Sequence, residues 1–499
     1  MRSGWRRRAA RQSCQVTLNA SSAVALELSG SIPKGGTTIQ PPSERLPLTV
    51  SATATECVLL LDMHTVEPPT VIDLFGGAGG IAEGFRQAGF KSIAASDIDP
   101  DACATFKRNF PDAVVVHGDL RSASVKSELM EAGGSANVVV GGPPCQAFSQ
   151  VRNHARLIDD PRNSLYREFV EIVGRVLPSA FLMENVTGID QMGFRDQIAT
   201  DLELCGEYDV LPQVIDAADV GVPQTRKRLV FVGVRRCLGI PAPLVPQSGI
   251  TRAVALSRST SRGKCRYDIA AVEDLFTSSL LSALNDPNDL TAVTAQQALS
   301  DLVDLPAGNR NDVLDYASVA APQSAYQRFM REGNDGTLHN VQVPRLRQDT
   351  STRLHAIPAG GNHRDLPEEL IQRNLSGEKW GPENGSGLLS RRHYYAYRRL
   401  HPDIWSWTLN TKADSVYHYK AYRSLSVREF ARLHSFPDRF VFTTDARQGV
   451  LLGRHDGGPA HSRYRQVGNA VPPLFARACA GVIRSAVFGG VSNLQLKAA

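Results

Sequence analysis

Four side chains in this sequence could perform covalent chemistry together: the thiol of Cys145, the carboxyl of Glu184 and the guanidinium groups of Arg226 and Arg228. A thiolate that adds to carbon 6 of a pyrimidine, while an acid protonates or hydrogen-bonds ring nitrogen 3, turns the ring into an enamine whose carbon 5 can attack an electrophilic methyl group. Cys145 would be the nucleophile and Glu184 the acid. Arg226 and Arg228, two apart on an extended segment, fall on one side of it and would reach the carbonyl oxygen of the base or hold the acid in place. Cys145 follows the apolar run Val138-Val139-Val140 and then Gly141-Gly142-Pro143-Pro144. A buried strand therefore stops on a stiff turn, with the sulfur free to face a ligand. Taken alone, that turn is equally compatible with a reactive thiol and an incidental one.

The elements that must position these groups alternate strand and helix from Thr70 onward. Val71 to Phe75 reads as a buried strand, Gly76-Gly77-Ala78-Gly79-Gly80 as a tight loop, and Ile81, Phe85 and Ala88 as one face of a helix that Gly89 can end. Ser92 to Ser96 is a second strand closing on Asp97, and Asp99 and Pro100 suit the cap and first position of the next helix. Strand, glycine loop, helix, strand and acid make the βαβ unit of a doubly wound sheet. In such a unit Gly77, Gly79 and the small Ala82 let the backbone approach a ligand, and Asp97, twenty positions after Gly77, can take ribose hydroxyls. This pattern alone does not separate NAD, FAD and S-adenosylmethionine. Further strands are expected at 113–116, 137–140, 180–183 and 229–234, with a helical stripe at Leu165, Phe169, Val173 and Val176. Phe75, Asp97, Asp119, Cys145 and Glu184 then all lie at carboxyl ends of strands, where open parallel sheets bind ligands.

Outside this rhythm the chain changes character. Residues 1–65 open with Arg2, Arg6, Arg7, Arg8 and Arg11 and continue Ser-, Thr-, Gly- and Pro-rich, which predicts a disordered extension without the apolar core of a secretory signal. Translation starting at Met63 would remove nearly all of it. Residues 237–422 lose the periodicity and read as a second, smaller irregular domain. There Arg391-Arg392-His393-Tyr394-Tyr395 mixes basic and aromatic side chains that can hold phosphates and stack on bases, or equally form a solvated basic face. At 423–499 the chain returns to order: Ser426-Val427-Arg428-Glu429 is a capping box flanked by Leu425 and Phe430, predicting a structural helix that ends before Pro437.

Composition sets the outer limits. A chain of 499 residues that is 42% hydrophobic and 21% charged has the composition of a soluble globular protein with two folded domains. No apolar stretch suggests a membrane span. The formal charge of +5 permits a polyanionic partner without requiring one. The eight cysteines are scattered, with no Cys-x-x-Cys pair and no zinc spacing, which predicts free thiols and no metal.

The ordered blocks resemble those of the DNA cytosine-5 methyltransferase family, in its bacterial restriction-modification form. They run Asp73 to Gly80, Asp97-Ile98-Asp99, Gly118-Asp119-Leu120, Gly142 to Ser149, Glu184-Asn185-Val186, Gln224-x-Arg226-x-Arg228, the helix at 426–437, and Gly468-Asn469-Ala470-Val471-Pro472-Pro473. The resemblance implies a Rossmann-like sheet that binds S-adenosyl-L-methionine as methyl donor, without a metal. Phe75 would stack on the adenine, with Ile98, Asp119 and Leu120 beside it, Asp97 on the ribose, and Gly77, Ala78, Gly79 and Gly80 along the methionine moiety. Pro143, Leu165, Asn469 and Ala470 would complete that pocket. Residues 145–160 would close over a base extruded from double-stranded DNA. Residues 237–422 would recognise the target, with Gln146, Ser149, Gln224, Arg391, Arg392 and Thr408 as DNA contacts. Asp97 stands where many relatives have Glu, and Ile98 where a larger side chain is frequent. A monomer working on cytoplasmic, nucleoid DNA, with a restriction endonuclease of the same specificity as possible companion, completes the expectation.

Three other readings compete. An RNA cytosine-5 methyltransferase would carry a Cys-Phe-Thr signature, which is absent here. A NAD-dependent oxidoreductase would leave the Pro-Pro-Cys and Glu-Asn-Val blocks without a task. An inactive DNA-binding relative would have no reason to keep the thiol, the acid and both arginines.

Overall fold

The computed structural model describes residues 67–144, 165–259, 275–284, 286–370, 397–445 and 458–489. Cys145, Gln146, Ser149, Arg391 and Arg392, together with the expected N-terminal extension and closing loop, lie outside the described residues.

Seven strands form one sheet: β1 (Thr70–Leu74), β2 (Lys91–Asp97), β3 (Val114–His117), β4 (Val138–Gly141), β5 (Ala180–Val186), β6 (Tyr208–Asp216) and β7 (Lys227–Arg235). Their order is β3-β2-β1-β4-β5-β7-β6. The pairs among β1 to β5 are parallel, whereas β7 runs antiparallel to both of its neighbours. The central strands are apolar on both faces, Val138, Val139 and Val140 being fully buried, as a sheet covered by helices on two sides requires. β6 is the strand that hydrophobic patterning did not single out. It is an edge strand carrying Pro212 and Gln213, and edge position relaxes the demand for an apolar run.

Helix α1 (Gly80–Gln87) follows the glycine loop, and α2 (Pro100–Asn109) starts where Asp99 accepts the Asp101 amide with Pro100 at its first turn. Helices α3 (Ala123–Gly133) and α4 (Leu165–Val176) cover the other face, α4 burying Phe169, Ile172 and Val173. The described residues of 237–422 hold short helices and one small antiparallel ladder, β8 (Val313–Asp315) with β9 (Thr337–His339). This region is not packed apart from the sheet: one buried cluster joins Ala82 and Phe106 with Leu299, Tyr326 and Met330 and with Leu425 and Phe430.

The capping box forms as expected, Ser426 accepting the Glu429 amide and Glu429 reaching back to the Ser426 amide, to start α5 (Val427–Leu433). Arg428 and Arg432 on this helix are completely buried. Arg432 is held by Asp301 and Asp438 at 2.6 Å each, and Arg428 by the carbonyls of His339, Pro437 and Phe440. Helix α6 (Gly458–Asn469) and helix α7 (Pro473–Ile483) end the described chain, and α7 lies against α1. The segment His461–Phe488 has the length and hydropathy of a membrane span, contrary to expectation. It is broken at Val471-Pro472, and α7 buries Phe475, Ala476, Cys479 and Ile483 in the sheet's own core, so its apolarity is that of a packed helix. Cysteine usage also departs in one place: Cys103 and Cys479 are buried free thiols, whereas Cys237 is disulfide-bonded.

Candidate active site

The reversal of β7 builds the site. A strand parallel to β5 would carry its amino-terminal residues to the far edge of the sheet. Running antiparallel, β7 places Arg228 opposite Val186 and brings it to the carboxyl end of β5, beside the strand ends where Asp97, Gly142 and Glu184 sit. There Arg228 Nε donates to Glu184 Oε1 at 2.7 Å, in an ion pair largely shielded from solvent. The other carboxylate oxygen faces Gly142: a Cβ at that position would stand 3.0 Å from Glu184 Oε2. Asn185, the next residue, donates from Nδ2 to the Pro143 carbonyl at 3.1 Å. The Gly-Pro-Pro turn is thus tied to the strand that carries the acid, three residues or fewer before Cys145 in the chain.

The two arginines do different things. Arg226 is buried and makes no ion pair with Glu184; its guanidinium donates to the carbonyls of Leu409 (3.4 Å) and Gly468 (3.0 Å), and its amide to Asp216 Oδ1. Burial pushes this guanidinium well below its usual range, the charge of Arg228 adds to the shift, and Glu184 opposes it. Of the two tasks open to these arginines, reaching the carbonyl oxygen of a base or holding the acid, Arg228 takes the second in this geometry, and Arg226 contacts neither carboxylate oxygen of Glu184.

Around the glycine loop, Phe75 has a left-handed backbone with φ of 55°, and Gly77 and Gly79 have φ of 54° and 99°. A phenylalanine in that region costs energy, and such strain gathers at ligand sites. The loop is pinned by Gly76 N–H to the Ser96 carbonyl and by Gly77 N–H to Asp97 Oδ2 at 2.8 Å. The second Asp97 oxygen accepts the Asp99 amide. Burial raises the Asp97 carboxyl, the two amides pull it down, and Asp99 raises it further. Ile98 projects with 64% of its surface exposed, an apolar platform at the end of β2. Leu120 is buried and Asp119 is held by the guanidinium and amide of Arg121, which keeps its carboxyl below the usual range. Leu165 opens α4, whose Glu168 and Glu171 both pair with Lys126 of α3. Asn469 is exposed at the end of α6, while Ala470 and Val471 reach the loop so closely that a Cβ on Gly80 would meet the Val471 carbonyl at 2.1 Å.

Two expected DNA contacts are described. Thr408 is exposed, its hydroxyl donating to the Thr225 carbonyl at 2.7 Å. Gln224 is a correction. It is completely buried, its Oε1 accepting the Leu409 amide and its Nε2 facing the Leu433 carbonyl and His434 Nδ1, so both ends of its side-chain amide are taken up inside the protein. Among the described residues no group of His, Cys, Asp and Glu is arranged to hold a metal ion.

The family model for C-5 cytosine-specific DNA methylases matches residues 69–485. The chain belongs to that family. It is 30% identical over 419 residues to the type II methyltransferase M1.HphI of Haemophilus parahaemolyticus, covering 83% of this chain and 86% of that one. It is 31% identical to M.AgeI of Thalassovita gelatinovora over 83% of this chain and 99% of that one. A crystal structure described as a DNA modification methyltransferase from an E. coli prophage shares the fold, at a TM-score of 0.57 and 22% identity over 84% of this chain and 99% of that one. This cytosine-specific methylase is accordingly an enzyme of DNA modification with an α/β fold. Sequence reasoning missed Gly142 as the space beside the acid, Asn185 as the brace of the turn, and His434, which contacts both Gln224 and Ala470. Gly142 lies in the Gly-Gly-Pro-Pro block and was open to detection. Asn185 lies in the Glu-Asn-Val block, but its partner Pro143 is 42 residues away in the chain and nothing local names it; His434 acts across a longer separation and carries no local signal.

Proposed function

We propose that this methylase transfers the methyl group of S-adenosyl-L-methionine to carbon 5 of a cytosine extruded from double-stranded DNA, through covalent addition of Cys145 to carbon 6. The observation that carries the reading is the Arg228–Glu184 pair at the carboxyl edge of the sheet, with Glu184 Oε2 against Gly142 and Asn185 bracing Pro143. The thiolate of Cys145 forms a bond to carbon 6, and the ring's electrons move towards carbon 5 while Glu184 protonates or hydrogen-bonds nitrogen 3. Carbon 5 takes the methyl group, the bonding pair staying on the donor's sulfur; carbon 5 then loses its proton to a solvent base, and the Cys145 thiolate leaves as the carbon 5–carbon 6 double bond returns and Glu184 takes back the nitrogen 3 proton. Arg228 fixes one oxygen of Glu184, so the other is presented to the base.

The residues of the glycine loop fit the methyl donor. Gly77 has open space where a Cβ would stand, Asp97 retains acceptor capacity beyond its two amide bonds, and the exposed Ile98 offers an apolar face for an adenine. S-adenosyl-L-methionine, when bound, supplies an electrophilic methyl group on its sulfonium. Phe75, Gly77, Ala78, Gly79, Gly80, Asp97, Ile98, Asp119, Leu120, Pro143, Leu165, Asn469 and Ala470 would hold it. Residues 66–236 and 423–499 would form the catalytic half and 237–422 the target-recognising half, Thr408 being its approach to the arginine strand. Acting on chromosomal DNA, the enzyme would work as a monomer in the cytoplasm, alongside a restriction endonuclease of the same specificity.

Incubation with DNA containing 5-fluorocytosine tests this, because fluorine at carbon 5 blocks the final elimination. The wild-type chain should form a complex stable to denaturing electrophoresis, and Cys145→Ala should form none and transfer no methyl groups while still binding S-adenosylhomocysteine. Undiminished transfer by Cys145→Ala would overturn the mechanism.

A further inference from the structure

His434 follows α5 at the edge of the helix read as structural, yet its ring is completely buried between two of the site's segments. On one side Gln224 Nε2 lies 2.9 Å from His434 Nδ1, and on the other His434 Nε2 lies 2.8 Å from the Ala470 carbonyl. The direction of every bond is fixed. A carbonyl can only accept, so His434 Nε2 carries the proton and Nδ1 must be an acceptor. Gln224 cannot be flipped, because its Oε1 takes the Leu409 amide at 3.0 Å and its Nε2 also faces the Leu433 carbonyl. Polar order therefore runs one way, from the Leu409 amide through Gln224 and His434 to the Ala470 carbonyl. Arg226 spans the same gap in parallel, from the Leu409 carbonyl to the Gly468 carbonyl. Leu409 is thus held at both its amide and its carbonyl, next to Thr408. Burial pushes the imidazole well below its usual range and the charges of Arg226 and Arg228 add to this, so the ring stays neutral, as the relay needs.

We propose that His434 is a positioning residue that links the recognition element at Thr408-Leu409 to the cofactor element at Asn469-Ala470 through this hydrogen-bond relay. The proposal rests on the reading of Asn469 and Ala470 as cofactor residues. It explains why the ring is buried without being catalytic: orienting Ala470 sets the strand of backbone that closes on Gly80, where the glycine loop begins α1. Glutamine at this position can accept with Oε1 and donate with Nε2, reproducing both bonds, whereas leucine fills the space and makes neither.

Titration calorimetry of the full chain with S-adenosylhomocysteine, and hydrogen exchange of peptides 405–412 and 465–472, test the relay. His434→Leu should weaken binding by about tenfold or more and speed exchange in both peptides, because two buried polar groups lose their partners. His434→Gln should restore binding to within about threefold of wild type and restore both exchange rates. Wild-type affinity in His434→Leu, or a His434→Gln chain as weak as His434→Leu, would overturn the proposal. Should His434→Leu not fold, His434→Gln carries the test: retained affinity supports the relay, and lost affinity in a folded chain refutes it. Failure of the wild-type chain to bind S-adenosylhomocysteine would strike the cofactor reading instead. The relay would then stand or fall on whether exchange quickens in both peptides of His434→Leu and recovers in His434→Gln.

Discussion

Glu184 owes its usefulness to what surrounds its two oxygens. One is fixed by Arg228 at 2.7 Å and the other lies against a position with no side chain. Gly142→Ala would place a methyl group 3.0 Å from Glu184 Oε2, tighter than ordinary van der Waals contact, so the carboxyl must shift, which in the proposed mechanism turns it away from the base. We expect turnover of this variant to fall about tenfold or more, since a small misplacement of a catalytic group is costly, with unfolding by urea little changed. Steady-state methylation assays beside urea curves would decide it. Glu184→Gln keeps the shape but cannot give a proton, and it leaves Arg228 without its anion. Turnover should drop by about 10²- to 10⁴-fold, with DNA affinity by filter binding close to wild type.

At the scale of elements, the active edge depends on α7 reaching back to α1. The two helices approach so closely that a Cβ on Gly84 would stand 2.4 Å from the Pro473 carbonyl and 2.5 Å from Ala476 Cβ. Backbone on one side cannot move aside as a side-chain tip could. Gly84→Ala should therefore cost about 1 to 3 kcal/mol in urea unfolding. It should also raise the KM for S-adenosylmethionine, because α7 follows directly on Asn469, Ala470 and Val471. The strand lead-in Gln224 to Arg228 is the second such element. Its alternate residues Gln224 and Arg226 point into the protein and brace it, and Arg228 is left to hold the acid.

For the whole molecule, the burial of several ion pairs around α5 makes stability depend on acid. Burial alone would raise the carboxyls of Glu429 and Asp438, but Arg423 and Arg432 respectively outweigh it and hold both below their ordinary values of 4.5 and 3.8. A carboxyl whose value is lower in the folded chain than in the unfolded one stabilises the fold above its ordinary value, and that contribution is lost as pH falls through the folded value. Stability measured by urea should accordingly decline on acidification below about pH 4.5, where the unfolded chain begins to take up protons that the folded chain does not. Asp438→Asn should flatten this decline and lower stability at neutral pH by about 3 to 5 kcal/mol, because Arg432 is left buried with one partner fewer. An unchanged acid profile in that variant would show that other carboxylates set it. Asp73 works in the opposite sense: burial raises its carboxyl well above 3.8, the Ala82 amide lowers it in part and Asp97 raises it again. Its contribution is therefore present below its ordinary value and lost as pH rises through the folded one.

Much of this was legible in the chain itself. Val71 to Leu74, the glycine loop, Asp97, Asp99 with Pro100, and Ser426 with Glu429 all came out where local patterning puts them, because strand burial, helix capping and tight turns are decided by neighbours in sequence; Phe75, expected to end the first strand, instead turns off it in a left-handed conformation. The order of the blocks also sufficed to identify the family that the match over residues 69–485 bears out. What only the tertiary structure decided concerns direction and company. No local pattern says that β7 runs antiparallel, yet that reversal is what delivers Arg228 to Glu184. Two arginines and a glutamine in one short motif look alike in sequence; burial and the partners brought by Leu409, His434 and Gly468 give them separate tasks. Those partners lie some two hundred residues away in the chain, and hydrogen bonds over such separations exist only once the fold has closed.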